Sequence, residues 1–277
     1  MSWDVFWMFA SVAVCLWVAA SALALFFDKG DHGDHSRKAY GSRFSSRIRT
    51  LVISLITVGL IVYASFIVGF WISLGRPPLR TTGETRLWYS FFMMISALIT
   101  YCRWGYRWIP SFSTLVATVF VCLNLFKPEI HDESLMPALQ SWWFIPHVSV
   151  YIFSYSVLAC AFLLAIAGMV KRSDRFLEPA DTLVYIGICF LSLGMLSGSL
   201  WAKQAWGNYW NWDPKETWAA ITWCIYLIYI HARLRKKQSA TALYILLIAG
   251  FIGLQLCWWG VNYLPSAQES MHTYINN

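Results

Sequence analysis

Long apolar runs recur along the whole chain and are separated by short polar segments. Hydropathy places candidate helical spans at residues 5–27, 51–74, 87–102, 112–126, 147–170, 182–200, 214–232 and 241–263. Most of these runs approach the roughly 20 apolar residues that a helix needs to cross a bilayer. The pattern therefore predicts an all-α fold, a polytopic membrane helical bundle with about eight transmembrane helices.

The basic residues predict the orientation of this bundle. If the N-terminus lies outside, the inward segments hold 15 of the 21 lysines and arginines. This bias follows the positive-inside rule and predicts that both termini face out. The first span has no basic residues before it, so we interpret it as a retained helix and not as a signal peptide.

Composition narrows the class of protein and the number of domains. The 277 residues are 58% hydrophobic and only 13% charged, about half the charged fraction of a soluble domain. Soluble enzymes, nucleic-acid binders and disordered chains are excluded. The seven cysteines lie in or beside apolar runs and form no C-x-x-C pair, which favours packing roles over redox chemistry. Without a repeat or a long hydrophilic stretch, one integral-membrane domain over residues 1–277 is expected.

Tryptophan is concentrated in the outward segment after the sixth span. Six of the 17 tryptophans occupy residues 201–223: Trp201, Trp206, Trp210, Trp212, Trp218 and Trp223. An interfacial belt explains one or two of them. Gly, Asn, Asp and Pro interrupt the segment, and at 100° per residue the first four tryptophans point to opposite sides of a helix. The arrangement therefore indicates an aromatic floor for a large flat ligand at the outer membrane surface.

Two acidic residues at the end of this segment have a structural interpretation. Asp213 suits a helix N-cap, Pro214 the first helical position, and Glu216 the third, where its carboxylate closes a capping box. We expect these residues to start the seventh helix, in preference to acid–base catalysis.

Two of the six histidines lie on the same predicted face as the tryptophans. His147 stands at the outward end of the fifth span, and His272 follows the last span. Two imidazoles beside an aromatic platform suit bis-histidine ligation of a haem iron. By contrast, His32, His35 and His131 lie in polar segments and are expected to be solvated.

His231 has two interpretations. It lies 17 residues beyond Pro214, about 26 Å inward at 1.5 Å per residue. It could stabilise the negative end of a helix dipole, or it could be an intramembrane ligand. A haem iron there needs a second ligand from a partner subunit, because no other histidine of this chain lies within a span at that level.

One stretch carries a specific resemblance. Residues 206–218, WGNYWNWDPKETW, resemble the WWD signature of haem-handling membrane proteins, in the form found in the CcsA (ResC) family of cytochrome c biogenesis. Residues 221–233 are similar to the helix that follows it in that family, and residues 139–148 to the segment that ends in its first external haem-ligand histidine. The resemblance covers about 137–277, with WWD segment 201–218, and is weaker over 1–136. The ending PKETW and the chain length favour CcsA over the related CcmC and CcmF.

The resemblance implies a set of haem contacts. His147 and His272 would be the external axial ligands and His231 the inner transmembrane ligand. The external haem platform would be Trp201, Trp206, Trp210, Trp212, Asp213 and Trp218. The gap between Asn262 and His272 is longer than in the family pattern. Outward cations that could pair with the haem propionates, or equally anchor the membrane surface, are Arg76, Arg80, Arg86 and Lys203.

The resemblance also implies a function. The chain would transport and present haem b as a subunit of a cytochrome c synthase (haem lyase), for thioether attachment to a C-x-x-C-H apocytochrome c. Its partners would be a CcsB (ResB)-like membrane subunit, the apocytochrome and a thioredoxin-like reductant, with no nucleophile of its own. A bacterial inner membrane is expected, with a thylakoid membrane as the alternative. Two alternative hypotheses are a haem exporter or other solute carrier without ligation activity, and an electron-transfer subunit with permanently bound haem.

Overall fold

A computed structural model describes residues 1–27, 41–131, 137–235 and 237–265. Within these ranges the chain is almost entirely helical and has no strand. The eight long helices are α1 (Phe6–Phe26), α2 (Gly41–Leu74), α3 (Thr82–Trp104), α4 (Ile109–Phe126), α5 (Phe144–Lys171), α6 (Leu177–Trp206), α7 (Pro214–Arg235) and α8 (Ala240–Trp258). Each predicted span falls on one of these helices.

The observed helices differ from the predicted spans mainly at their ends. α2 begins ten residues before the predicted 51, and α6 extends the predicted 182–200 in both directions. Hydropathy detects only the apolar part of a helix, whereas the backbone continues to hydrogen-bond through polar turns. α8 is shorter than predicted, because after Trp258 the chain passes into a 3₁₀ turn at Gly260–Tyr263.

Six of the eight helices in the described ranges are long and apolar enough to cross a membrane. α3 and α7 fall short, since each carries charged residues near its ends and several Trp, Tyr and Thr residues along its length. The chain is therefore a multi-pass, helical integral membrane protein. Crossing by α3 and α7, and the outside position of both termini, stay predictions.

The chain divides into two compact units, Met1–Leu135 and Met136–Asn277. In the first unit α1 packs along α2 and α3 along α4, and α1 also contacts α4. Its core contains the fully buried Trp17, Tyr63 and Phe66. Trp17 fits closely because Gly59 has no side chain; a Cβ there would lie 2.5 Å from its indole nitrogen. A single domain over the whole chain stays a prediction.

The second unit begins where the resemblance begins. α5 packs along α6, α7 along α8, and α8 against α5. Glycines allow the helices to approach closely. At α7–α8, Gly250 meets the ring of Tyr226, and Gly253 meets Thr222. The N-terminal end of α5, the C-terminal end of α6 and the first turn of α7 carry most residues of the candidate site.

Candidate functional site

The first turn of α7 has the predicted capping arrangement. The Asp213 carboxylate accepts a 2.8 Å hydrogen bond from the backbone N–H of Lys215. The Glu216 carboxylate accepts from the backbone N–H groups of Asp213, at 3.2 Å, and Asn211, at 2.8 Å. Both acidic residues are at least 92% buried. The expected helix start is therefore confirmed, and both carboxylates organise backbone.

The tryptophan-rich segment is interrupted as expected. α6 ends at Trp206, and Gly207 takes a left-handed conformation with φ 86°. Trp210 and Trp212 lie in the irregular stretch before α7, with ring centroids 5.8 Å apart and planes at 86°. Trp218 lies on α7. A single helical stripe of tryptophans is therefore absent from this described segment.

Trp212 stands in an unusual backbone conformation. Its φ is +58°, in the left-handed region that side-chain-bearing residues rarely adopt, and its side chain is 70% exposed. Glu216 binds the backbone N–H groups on either side of it, and the Thr217 hydroxyl donates to its carbonyl at 3.1 Å. Contacts from the first turn of α7 thus hold Trp212 in a strained backbone conformation in which most of its indole is exposed on the protein surface. Such strain persists only where surrounding contacts over-determine it.

His147 lies in the first turn of α5, between aromatic rings and α6. Its imidazole stacks on Trp201 with centroids 5.4 Å apart and planes at 24°, and meets Tyr151 edge-on at 4.8 Å. Its Nδ1 lies 2.8 Å from the carbonyl oxygen of Gly194 on α6. A carbonyl can only accept, so Nδ1 carries the proton, and in the neutral ring the lone pair is on Nε2. That tautomer can bind a metal through Nε2.

Trp201 supports His147 from a buried position. It is only 2% exposed, packs against Phe144 and Trp206 at centroid distances of 5.2 and 4.8 Å, and donates its indole N–H to the carbonyl of Ala138 at 2.7 Å. The structure therefore brings Trp201 and Trp206 together with His147. Trp210 and Trp212 pair with each other in the following loop.

His231 lies on the exposed side of α7, opposite a fully buried stripe that contains Tyr226 and Tyr229. Its Nδ1 donates to the carbonyl of Leu227 at 2.8 Å, which again places the ring lone pair on Nε2. The ring borders an open groove of about 590 Å³ whose lining is mostly apolar, with Leu227, Ile228 and Ala232, and with Arg235 at one side.

An ionic cluster that the sequence pattern did not predict joins α6 and α7. The Arg233 guanidinium binds the Asp181 carboxylate through Nε, at 2.8 and 3.0 Å, and through Nη2. The Tyr229 hydroxyl donates to the same carboxylate at 2.6 Å. Opposite charges at the predicted inner ends of two consecutive spans are a sequence signal that could have indicated this ion pair.

Two of the cations that are predicted to face outward have protein partners. Arg76 forms two 2.9 Å hydrogen bonds to the carboxylate of Glu84, which is 1% exposed and also closes the capping box of α3. The Lys203 ammonium donates to the Gly207 carbonyl at 2.7 Å and lies 5.3 Å from the ring centroid of Tyr209. These contacts give both side chains a structural role that does not involve a haem propionate.

Of the four remaining histidines, only His131 lies among the described residues. His272, His32 and His35 lie outside the described residues. His131 is half-buried, and its ring stacks on Trp3 with centroids 3.9 Å apart and parallel planes. Burial lowers the pKa of His131 below its ordinary 6.5, while Glu84 and Glu129 oppose the shift. His131 is therefore a packed residue, and the expectation of a solvated side chain was wrong.

Comparison with known proteins agrees with the motif. The family model "Cytochrome C assembly protein" matches residues 40–268. Three relatives are named cytochrome c biogenesis protein CcsA. The protein from Chlamydomonas reinhardtii is 39% identical over 58% of this chain, a match that spans about half of that relative, 48%. The Pelargonium hortorum protein is 33% identical over 78% of this chain and 84% of the relative, and the Cuscuta exaltata protein 32% over 69% and 75%.

The resemblance seen in the tryptophan-rich segment is thus shared along most of the chain. The matched region includes α2 to α8 and the candidate site residues that the structure describes, whereas His272 lies beyond its end. The chain belongs to the cytochrome c assembly protein family, with relatives named CcsA.

Proposed function

We propose that this chain is the haem-presenting membrane subunit of a cytochrome c synthase. Membership of the family gives it a role in cytochrome c biogenesis, which involves haem. The observation that carries the finer proposal is His147, held between Trp201 and Gly194 with its lone pair on Nε2. An imidazole fixed in this way, and stacked on an aromatic ring, fits the binding of haem through its iron.

The residues of the second unit would hold haem and leave the bond-forming chemistry to substrate groups. His147 and His272 would hold the haem iron, and the aromatic residues of the tryptophan-rich segment, Trp212 among them, would support the porphyrin. Each apocytochrome thiol then adds across a haem vinyl group, so that sulfur bonds to one vinyl carbon and a proton goes to the other. The reaction needs reduced cysteines, for which a thioredoxin-like reductant is the expected supplier. The protein contributes orientation, which accelerates a reaction between bound groups.

We also propose a second haem position, on the inner side, at His231. Its ring faces away from the buried stripe of α7 and borders an open, mainly apolar groove. A CcsB (ResB)-like subunit that covers this groove would supply the opposite ligand to the iron. Haem would then move from this position to the external site. We assign the protein to the bacterial inner membrane or the thylakoid membrane, where the outer compartment matures c-type cytochromes.

The test is a visible spectrum of the purified full chain, alone and with its partner. We expect a haem band whose axial-ligand signature changes in His147→Ala and in His272→Ala and is restored by added imidazole. His131→Ala is the matched control, because that histidine lies in the first unit against Trp3. Haem-free protein from cells that still mature cytochrome c normally would contradict the proposal.

Coexpression with a C-x-x-C-H reporter separates ligation from transport. A synthase subunit is required for covalently attached haem on the reporter even when haem is supplied on the outer side. A haem exporter or solute carrier becomes dispensable under that condition, and this result would favour the alternative function.

A further inference from the structure

Three glycines on one side of α6 receive large side chains from α5. A Cβ at Gly187 would lie 2.5 Å from Leu158, and one at Gly194 would lie 2.2 Å from the ring of Tyr151. At Gly198 the Cβ would lie 2.6 Å from Nδ1 of His147. Real Cβ atoms do not approach heavy atoms so closely. The absence of a side chain at these three positions of α6 therefore determines where the α5 side chains lie.

A side chain at Gly198 would contact the same edge of the His147 ring that makes the hydrogen bond. A Cβ at Gly198 would meet His147 Nδ1 and also Cε1, at 2.7 Å. Nδ1 is the atom that donates to the Gly194 carbonyl. A second constraint on the position of the ring comes from Trp201, on whose indole the imidazole stacks. A methyl group at 198 must therefore push the imidazole off its position and lengthen or break the bond to Gly194.

We propose that Gly198 is a positioning residue for the external haem, and that it acts by letting His147 reach the Gly194 carbonyl. The bond fixes Nδ1 as the protonated nitrogen and Nε2 as the nitrogen that binds iron. This inference rests on the proposed function, since it deepens the role of His147. Groups that orient a metal-binding histidine through its other nitrogen typically contribute 10–100-fold to metal affinity.

The experiment compares two alanine substitutions in the same helix pair. The full chain is purified in detergent and titrated with haem, and the visible spectrum is recorded. We expect Gly198→Ala to weaken haem binding by roughly 10–100-fold and to lose the histidine-ligand signature, with recovery on addition of imidazole. Gly187→Ala is the matched control, because its methyl group meets Leu158 on α5 at nearly the same distance. This control should bind haem as the wild type does.

A double substitution tests whether the effect passes through the imidazole. In His147→Ala the methyl group at 198 has no ring to strike, so Gly198→Ala should add nothing further to the loss of haem binding. If Gly198→Ala and Gly187→Ala behave alike, or if the two losses simply add, Gly198 acts through helix packing and the inference is overturned.

Failure of the inference is distinguishable from failure of the proposed function. If His147→Ala leaves the haem spectrum unchanged, His147 is not a ligand and the proposed function loses its main support. If His147→Ala changes the spectrum but Gly198→Ala does not, only the positioning role fails. A measurement that needs no α6 variant is the ¹⁵N NMR signal of the His147 ring in the haem-free protein. A ring protonated at Nε2 and not at Nδ1 would overturn the inference even if Gly198→Ala did not fold.

Discussion

His147 and His231, the two candidate haem-iron ligands that the structure describes, each donate a hydrogen bond from Nδ1 to a backbone carbonyl, but the two bonds differ in origin. His231 donates to the carbonyl four residues earlier in its own helix, a contact open to any helical histidine. His147 donates to a carbonyl 47 residues away on another helix. Both bonds place the lone pair on Nε2, but only the second constrains where the ring lies in the folded protein. The position of the His147 ring is therefore set by the tertiary structure.

Substitution of Trp212 should affect the stability of the protein and the binding of haem in opposite directions. Because its φ of +58° disfavours a Cβ, Trp212→Gly should increase the stability of the protein by about 1 kcal/mol, despite the lost side chain, which is mostly exposed. The same change should weaken haem binding, since the exposed indole is removed. Thermal unfolding in detergent and haem titration measure the two effects. Trp212→Ala, which removes the ring and keeps a Cβ, should weaken binding without the gain in stability.

His131 predicts a pH dependence in the first unit. Burial against Trp3 lowers its pKa below 6.5, so the unfolded state takes up a proton at a higher pH than the folded state. Its contribution to stability is therefore complete above pH 6.5 and decreases as the pH falls below that value. Unfolding temperatures between pH 5 and 8 measure this slope. In His131→Phe, which keeps a ring on Trp3, the slope should be smaller; an identical slope would contradict the assignment.

At the scale of elements, α7 is held to α6 at two levels. The Trp223 indole donates to the Ser192 hydroxyl at 2.9 Å, and further along the helix Arg233 and Tyr229 bind Asp181. Tyr229 and Arg233 lie on the side of α7 opposite His231. These contacts therefore set the rotation of α7 about its axis, with His231 and its groove on the exposed side.

Loss of the Asp181 carboxylate should destabilise this helix pair. Asp181→Ala leaves Arg233 and the Tyr229 hydroxyl without their acceptor, and because the cluster is partly buried we expect a loss of about 1–3 kcal/mol. Asp181→Asn, which keeps one acceptor oxygen, should lose less. Unfolding in detergent, as a double-mutant cycle with Arg233→Gln, measures the coupling between the two side chains. Additive losses would show that the ion pair contributes nothing.

At the scale of the whole molecule, the distribution of lysine and arginine follows the positive-inside rule only if all eight helices cross the membrane. α3 and α7 are the polar exceptions by composition. Helices of this kind are stable in a bilayer when neighbouring helices cover their polar groups. In the first unit α3 packs against α2 and α4, and in the second α7 packs against α6 and α8. Cover of this kind favours crossing by both helices.

Topology reporters fused after successive helices test this expectation. Fusions after Gly105, Ser173 and Gln238 should report the inner compartment, and fusions after Lys127 and Gly207 the outer one. If α3 does not cross, the reporters at Gly105 and at later positions reverse relative to the N-terminus. If α7 does not cross, only the fusion at Gln238 and those beyond it reverse.

The amino-acid sequence alone determined the existence of the eight helices, since transfer of apolar residues into a membrane depends on composition over about 20 neighbouring positions. It also determined the start of α7, because Asp213 and Glu216 bind backbone groups within five residues of themselves. The tertiary structure alone decided that Trp201 is a buried support, that Gly198 leaves room for His147, and that Asp181 binds Arg233. Those contacts join residues that are about 50 positions apart, and they depend on which faces of two helices meet, which hydropathy does not specify.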